Sequence, residues 1–596
     1  MKKITTTALF LTFVSAVSLL LAACTAQTPN ASISADPADI VLTNGAIYRG
    51  ASQAGQNDWV DTIAIKGKRI NFLGNAKSAK RYIGANTQVI DLKGRMAMPG
   101  LIDAHLHPLD GALANLYRCK FPFTATPEMV QKTVAQCVKS AGDRQWIIGG
   151  RWDSDFFINN NIESPRRFLD EVSADKAVFL RADSGHDGWA NSKGLSLAGI
   201  SRDSLDPEGG TIVRDANGEP NGVLMEKASY EVVDQLPLPT QEEYLNAARE
   251  LMRIANGYGV TGMKDASADL IDLKTLHGLA KLEQLTSHMA TAITVNKTDW
   301  AEGQFDIGRF TKLRTEYQAK NVNTEFIKIF MDGVPTSSRT AAMLDDYLPA
   351  EDGGKTHAGD THYTQAQLSD MLAAMDKAGF TVKIHTAGDR SVRMALNAIE
   401  STRELNGQIG LRHELAHAGY IAPSDIARFA QLNAVADLSP YLWHPSPIID
   451  SIVNAVGPRA LQYWPIKALM AADAPLLVGS DWPSAVASMN PWLGMEAMVS
   501  RADPGGGPIN DNSATLWPEQ AITVQQAISI YTTRGALALK LDDSIGSLSV
   551  GKLADIIVLD QNLFEVSTDK IGDTQVMATW FEGRLVHATE AWSAEQ

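Results

Sequence analysis

The residues that could do chemistry lie far apart in this chain of 596 residues: His105 and His107, Lys328, His385, His417 and Asp481. Imidazole and carboxylate are ligands that zinc takes well, and a catalytic zinc keeps one coordination position open. Alternate side chains on a strand share a face, so a His-x-His at a strand end points two imidazoles the same way and can grip one ion. Each feature alone has an ordinary reading. Paired histidines can be satisfied by hydrogen bonds, a terminal aspartate can cap a helix, and a core lysine can run its amine out to solvent. The ordered set of His-x-His, Lys, His, His and Asp, set at apolar runs, is much more specific than any member of it.

Those runs cover residues 98–105, 260–265, 289–295, 326–332, 381–385, 411–417, 434–438 and 476–481. That makes eight, the number a (β/α)8 barrel requires. Helical patterns fall between them, opened by capping boxes at Thr240, Thr364 and Thr523. The predicted fold is α/β, a TIM barrel, and its catalytic face is the C-terminal end of the strands. The candidates lie on strands one, four, five, six and eight. Residues 108–239 are too long for one βα connection, contain strand patterns at 146–149 and 177–181, and are read as an insertion over the barrel mouth. Both chain ends have short-strand texture, with hairpin signals at Asn44-Gly45 and a turn at Glu582-Gly583. One small β-sandwich built from both ends is expected, over 38–97 and 541–590, around a barrel at 98–540.

A net charge of −15 argues against nucleic acid or an anionic membrane surface as partner. Residues 1–24 read as a secretory signal: Lys2 and Lys3, an apolar run, then Leu21-Ala22-Ala23-Cys24. That ending resembles a bacterial lipobox, with Cys24 lipidated and residues 25–37 a flexible tether. An ordinary cleaved signal or a single span are the alternatives. As a lipoprotein the protein would sit in the bacterial cell envelope, with Thr25 matching the outer-membrane sorting pattern, facing the periplasm and touching membrane only through Cys24. The remaining cysteines, Cys119 and Cys137, are free to pair or not.

The run 99–107, Pro-Gly-Leu-Ile-Asp-Ala-His-Leu-His, resembles the opening signature of the amidohydrolase superfamily, and 551–559 resembles its closing one. The stretches 183–192, 209–215, 328–333, 385–390 and 479–483 are similar to amidohydrolase family 3, the branch containing N-substituted formamide deformylase. The resemblance covers nearly everything from residue 40 to 587. It implies one zinc on His105, His107 and Asp481, a second on His385 and His417, and Lys328 bridging them as its carbamate. A one-metal site with an unmodified Lys328, or another divalent metal, stays open. Such ions lower the pKa of bound water from 15.7 to about 7 and polarise a carbonyl; Asp481 is the candidate for moving the proton to the leaving nitrogen.

His186, Asp332 and Arg339 are candidate substrate contacts. The ordinary readings of His186 and Arg339 are a surface histidine and a solvated loop charge, and Asp332 lies on the face of Lys328. The chain departs from the family's pattern in Ala416-His417-Ala418-Gly419 and at Ser439 before Pro440, both near the pocket. The expected activity is hydrolysis of a non-peptide C–N bond, an amide, in a small molecule. A lactonase or esterase, a one-metal deaminase and a non-catalytic solute-binding lipoprotein are the alternatives. Family members are often dimers, so a homodimer is also expected.

Overall fold

The computed structural model describes residues 36–50 and 58–595, apart from 123–124, 154–155, 174, 183–184, 186, 302–303, 337, 350–355, 408–409, 485 and 505–513. The signal, Cys24 and His186 lie outside the described residues. Eight parallel strands form the centre: β1 (Leu101–Leu106), β2 (Val260–Ala268), β3 (His288–Thr294), β4 (Val322–Phe330), β5 (Thr381–Thr386), β6 (Glu414–His417), β7 (Val435–Leu438) and β8 (Leu476–Val478). They pair in sequence order, as a TIM barrel demands. Between β8 and β1 the closure is made just past the strand ends. Asp481 N–H donates to His105 O at 2.7 Å, and His107 N–H donates to Trp482 O at 2.7 Å. Gly479 permits that approach: a Cβ there would sit 2.3 Å from the His105 nitrogen.

The barrel helices start where their caps are written. Thr240 and Thr364 each close a capping box, opening Gln241–Gly257 and Gln365–Lys377. Thr523 does the same for Val524–Ser529, but that helix runs on through a π-turn at Ile530–Arg534. Leu368, Met371, Leu372 and Met375 form the buried stripe of Gln365–Lys377.

The two chain ends do build one sandwich. A four-stranded sheet holds Arg69–Gly74, Thr62–Lys66, Ile40–Thr43 and Gln88–Asp91; a six-stranded sheet holds Arg584–Ala588, Val576–Phe581, Ile556–Leu559, Met96–Pro99, Ala46–Tyr48 and Trp59–Val60. Their shared core contains Ile47, Ile63, Ile65, Ile556, Val558 and Trp580. Two details correct the sequence reading. The first barrel run is two strands: Met96–Pro99 belongs to the sandwich, and the chain breaks at Gly100, where a Cβ would meet Thr261 Oγ1 at 2.2 Å. Asn44-Gly45 is not a hairpin turn, because Ile40–Thr43 and Ala46–Tyr48 pair in different sheets. Asp555 ties sandwich to barrel, its Oδ2 lying 2.8 Å from His288 Nε2 on β3.

The insertion carries its own six-stranded sheet, ordered Gly210–Arg214, Pro220–Glu226, Gly188–Ala190, Ala177–Ala182, Trp146–Trp152 and Cys119–Lys120. Cys119 and Cys137 are disulfide-bonded, pinning helix Pro127–Ser140 to the edge strand. Helix Pro108–Tyr117 joins this layer to the barrel by packing on Gln241–Gly257. No described helix is long and apolar enough to cross a membrane.

Candidate metal centre

At the C-terminal rim, one ligand atom each from His105, His107 and Asp481 lie within 4.8 Å of one another. Asp481 Oδ1 stands 3.5 Å from His105 Nε2 and 3.3 Å from His107 Nε2. His417 Nδ1 lies 3.9 Å from Asp481 Oδ2, and its ring centroid is 4.8 Å from that of His105 and 4.6 Å from that of His385. Asp481 and His417 both sit in the left-handed region, at φ 58° and 69°. Non-glycine residues adopt it rarely, and such positions cluster at functional sites. The fold thus brings His105, His107, His385, His417 and Asp481 to one rim, although they span nearly four hundred residues of sequence.

The residues fit a metal ion. His105 Nε2 and Asp481 Oδ1 are buried without a hydrogen-bond partner, and they face each other. Buried polar atoms are normally satisfied, so facing orphans at this spacing suit a shared cation. The other side of His105 is held: its Nδ1 lies 2.7 Å from Asp437 Oδ2. A carboxylate only accepts, so Nδ1 carries the proton and Nε2 presents its lone pair to the site. His385 is held likewise, with Nδ1 3.0 Å from Asp332 Oδ1. Burial, with the neighbouring cationic and imidazole groups, pulls His105 and His417 well below the ordinary histidine range, which keeps both neutral, the ligating form. Burial pushes the Asp481 carboxyl up, but His107, His417 and His105 outweigh it and hold the group ionised.

Lys328 is buried on β4, inside the barrel, with its Nζ 4.8 Å from the Phe330 ring centroid. Burial, reinforced by the charge of Lys383, lowers it to about 8. A substantial neutral fraction is what reaction with carbon dioxide would need.

Below the rim lies a charged layer that the sequence reading missed. Lys264 on β2 pairs with Glu414 on β6; Lys383 on β5 pairs with Glu414 at 2.9 Å and with Asp437 on β7; Asp437 reaches His105 on β1. All four charged residues are buried. One signal was available: Lys383 is two residues before His385 and so shares its face.

Asp332 was expected to touch substrate. Both its oxygens are instead used within the protein: beyond His385, Oδ1 accepts from Ala387 N–H at 3.0 Å, and Oδ2 accepts from Ala342 N–H, Gly388 N–H and Ser391 O–H at 2.9, 3.0 and 2.7 Å. Its place is that of a positioning residue for His385. Arg339, half-buried in the loop after β4, does not line the cavity at the barrel mouth. At the departure Gly419, a Cβ would lie 1.8 Å from the Tyr463 ring, so glycine there makes room for an aromatic wall.

A cavity of about 690 Å³ opens from His107, Phe330 and Trp482 upward to the insertion sheet, helix Pro108–Tyr117 and the loop after β8. That volume suits a small molecule.

A closed parallel barrel with histidines and an aspartate converging at its C-terminal rim is the build of a metal-dependent hydrolase. Residues 88–587 match the model of the amidohydrolase family Amidohydro_3, and the chain belongs to that family. It is 30% identical to the protein LONG AFTER FAR-RED 3 of Arabidopsis thaliana, over 92% of each chain. It is 26% identical to the N-substituted formamide deformylase of Arthrobacter pascens, over 89% of this chain and 95% of that one. Its fold is shared with a metal-dependent hydrolase of Pyrococcus horikoshii OT3, at a TM-score of 0.68 and 22% identity, covering 92% of this chain and 100% of the other.

Proposed function

We propose that this metal-dependent hydrolase cleaves an amide C–N bond of a small molecule and holds two zinc ions. The observation that carries the reading is the pair of facing orphan atoms, His105 Nε2 and Asp481 Oδ1, beside His107. The imidazoles of His105, His107, His385 and His417 with the Asp481 carboxylate suit zinc among common divalent metals. His105, His107 and Asp481 would hold one ion, His385 and His417 the other, with Lys328 as a carbamate between them. When bound, the ions supply Lewis acidity for the scissile carbonyl and bring the pKa of water to about 7.

The chain's own residues do the rest. Asp437 and Asp332 hold His105 and His385 in the ligating tautomer. The ionised Asp481 accepts the proton of the attacking water and passes it to the leaving nitrogen. Trp482 and Phe330 line the reacting end of the cavity. The test is metal analysis plus turnover of amide, ester and lactone panels. About two zinc equivalents, amide turnover, and an Asp481→Asn variant that is inactive with metal bound are expected. Full turnover by Asp481→Asn refutes the proton-transfer role. Faster binding of the second metal with added bicarbonate, lost in Lys328→Met, tests the carbamate.

We also propose that the enzyme is exported and lipid-anchored at Cys24 in the cell envelope. The Cys119–Cys137 bond supports an oxidising compartment. Mass spectrometry of the mature N-terminus, with release of Cys24→Ser into the soluble fraction, tests it.

A further inference from the structure

The mouth cavity has a charge bias opposite to that of the whole chain. The protein carries 68 acidic against 53 basic residues, yet the charged residues lining the cavity beyond His107 are Arg118, Lys120, Arg151 and Arg181 against Asp110 alone. Arg118 pairs with Asp110 at 2.8 Å, Lys120 Nζ donates to Asn115 Oδ1 and Arg181 lies over the Tyr230 ring, 5.8 Å from its centroid, so Lys120 and Arg181 meet neutral partners and the lining is positive on balance.

Their placement is built into the insertion sheet. Cys119–Lys120, Trp146–Trp152 and Ala177–Ala182 are adjacent parallel strands, and Gly150 is in register with Lys120 on one side and with Arg181 on the other. Residues in register on neighbouring parallel strands point to the same face. Lys120 and Arg181 therefore flank a position with no side chain. The recess is obligatory, because a Cβ at Gly150 would come within 2.4 Å of the Arg181 carbonyl oxygen. Arg151 and Arg181 also converge: Arg181 donates to the Gly185 carbonyl, and Arg151 Nη1 lies 3.1 Å from where a Gly185 Cβ would be. Desolvation pulls Lys120, Arg151 and Arg181 below their ordinary values, and at Arg151 the charge of Arg181 adds to that pull against the opposing charge of Asp110. A bound anion offsets both costs.

We propose that the substrate carries an oxyanion, a carboxylate or phosphate-type group, read by Lys120, Arg181 and Arg151 around the Gly150 recess while its scissile bond reaches the His107 end of the same cavity. This rests on the hydrolase reading above. A planar guanidinium binds either oxyanion bidentately, so the two groups share one recognition chemistry.

The probes are N-acetyl derivatives of glycine, alanine and phenylalanine, of both hands where chiral, each as the free acid, the phosphonate analogue and the neutral carboxamide. Calorimetric Kd and kcat/KM are measured on the zinc-loaded full chain. At least one acid or phosphonate is expected to bind about tenfold or more tighter than its carboxamide, and which of the two wins identifies the oxyanion. That advantage should collapse in Arg181→Gln and Lys120→Gln, survive only in part in Arg181→Lys, which keeps the charge but loses the two-pronged contact, and shrink with salt. An advantage unchanged in the Gln variants, which would mean the metal holds the anion, overturns the proposal. Equal binding of acid and carboxamide, or no binding tighter than about 1 mM, overturns it too. Arginine-dependent binding without any turnover would leave this inference standing and refute the amide-hydrolase reading; equal turnover of acids and carboxamides would do the reverse.

Discussion

Asp437 is the residue whose change tests most about the buried layer. It is fully buried, and its Oδ2 accepts from both His105 Nδ1, at 2.7 Å, and Lys383 Nζ. Asp437→Asn can keep an oxygen at that place but removes the charge. The His105 bond then falls from charge-assisted, about 1.5–3 kcal/mol, towards neutral, about 1 kcal/mol, while the Lys383 bond keeps the charge of its donor. That loss, about 0.5–2 kcal/mol, brackets a roughly tenfold fall in metal affinity. Asp437→Ala removes both bonds. It frees the His105 ring and leaves Lys383 with only Glu414 at 2.9 Å and the Ala104 carbonyl at 3.2 Å. A metal-affinity loss near 100-fold is expected, with about 3 kcal/mol of stability, the low end for breaking a buried ion pair because Glu414 remains. Zinc affinity is read by chelator competition. Stability is read by denaturant unfolding of the metal-free protein, so that metal linkage does not enter. Wild-type metal affinity in both variants would refute the tautomer argument. An Asn variant as damaged as the Ala variant would show that the charge acts, not the hydrogen bonds.

Three further outcomes are expected. Gly479→Ala forces a methyl against His105 N, 2.3 Å from the ideal Cβ position; it should cost about 3 kcal/mol, the top of the overpacking range, and weaken metal binding, and a wild-type unfolding midpoint would contradict the closure argument. Cys137→Ser opens a loop with a sequence separation of 18; about 3 kcal/mol of stability should be lost, seen as faster proteolysis within the insertion and absent when wild type is compared under reduction. Lys264, lowered chiefly by burial to about 8 from 10.5, releases its proton in the folded state before the unfolded chain does. Its folded pKa lies below its unfolded one, so its contribution makes stability rise with pH from 8 to 10.5. The unfolding midpoint of wild type should therefore gain on that of Lys264→Met across this window, and a constant gap would refute the assignment.

Much of the architecture was legible because it follows local rules. The capping boxes at Thr240 and Thr364 mark helix starts through one side-chain bond each, so both helices begin where the sequence puts them. Strand ends were less legible. Asp332 and Asp481 were read as strand residues, and both lie just beyond β4 and β8, because register, not composition, decides where pairing stops. The hairpin expected at Asn44-Gly45 failed for the same reason: the chain bends there, but partner choice belongs to the sheets.

What the sequence determined by itself is the inventory of ligand-type side chains and the alternation that aims them along strands. His105, His107, His385, His417 and Asp481 needed only their types, their order and their strand ends to be named. Tertiary structure alone decided what stands behind and above them. The Lys264–Glu414–Lys383–Asp437 layer exists because barrel closure brings β2, β5, β6 and β7 face to face, and the cation-lined recess exists because a separate sheet folds back over the mouth. Both depend on distances between residues far apart in the chain, and those distances are set by closure and packing rather than by any local preference.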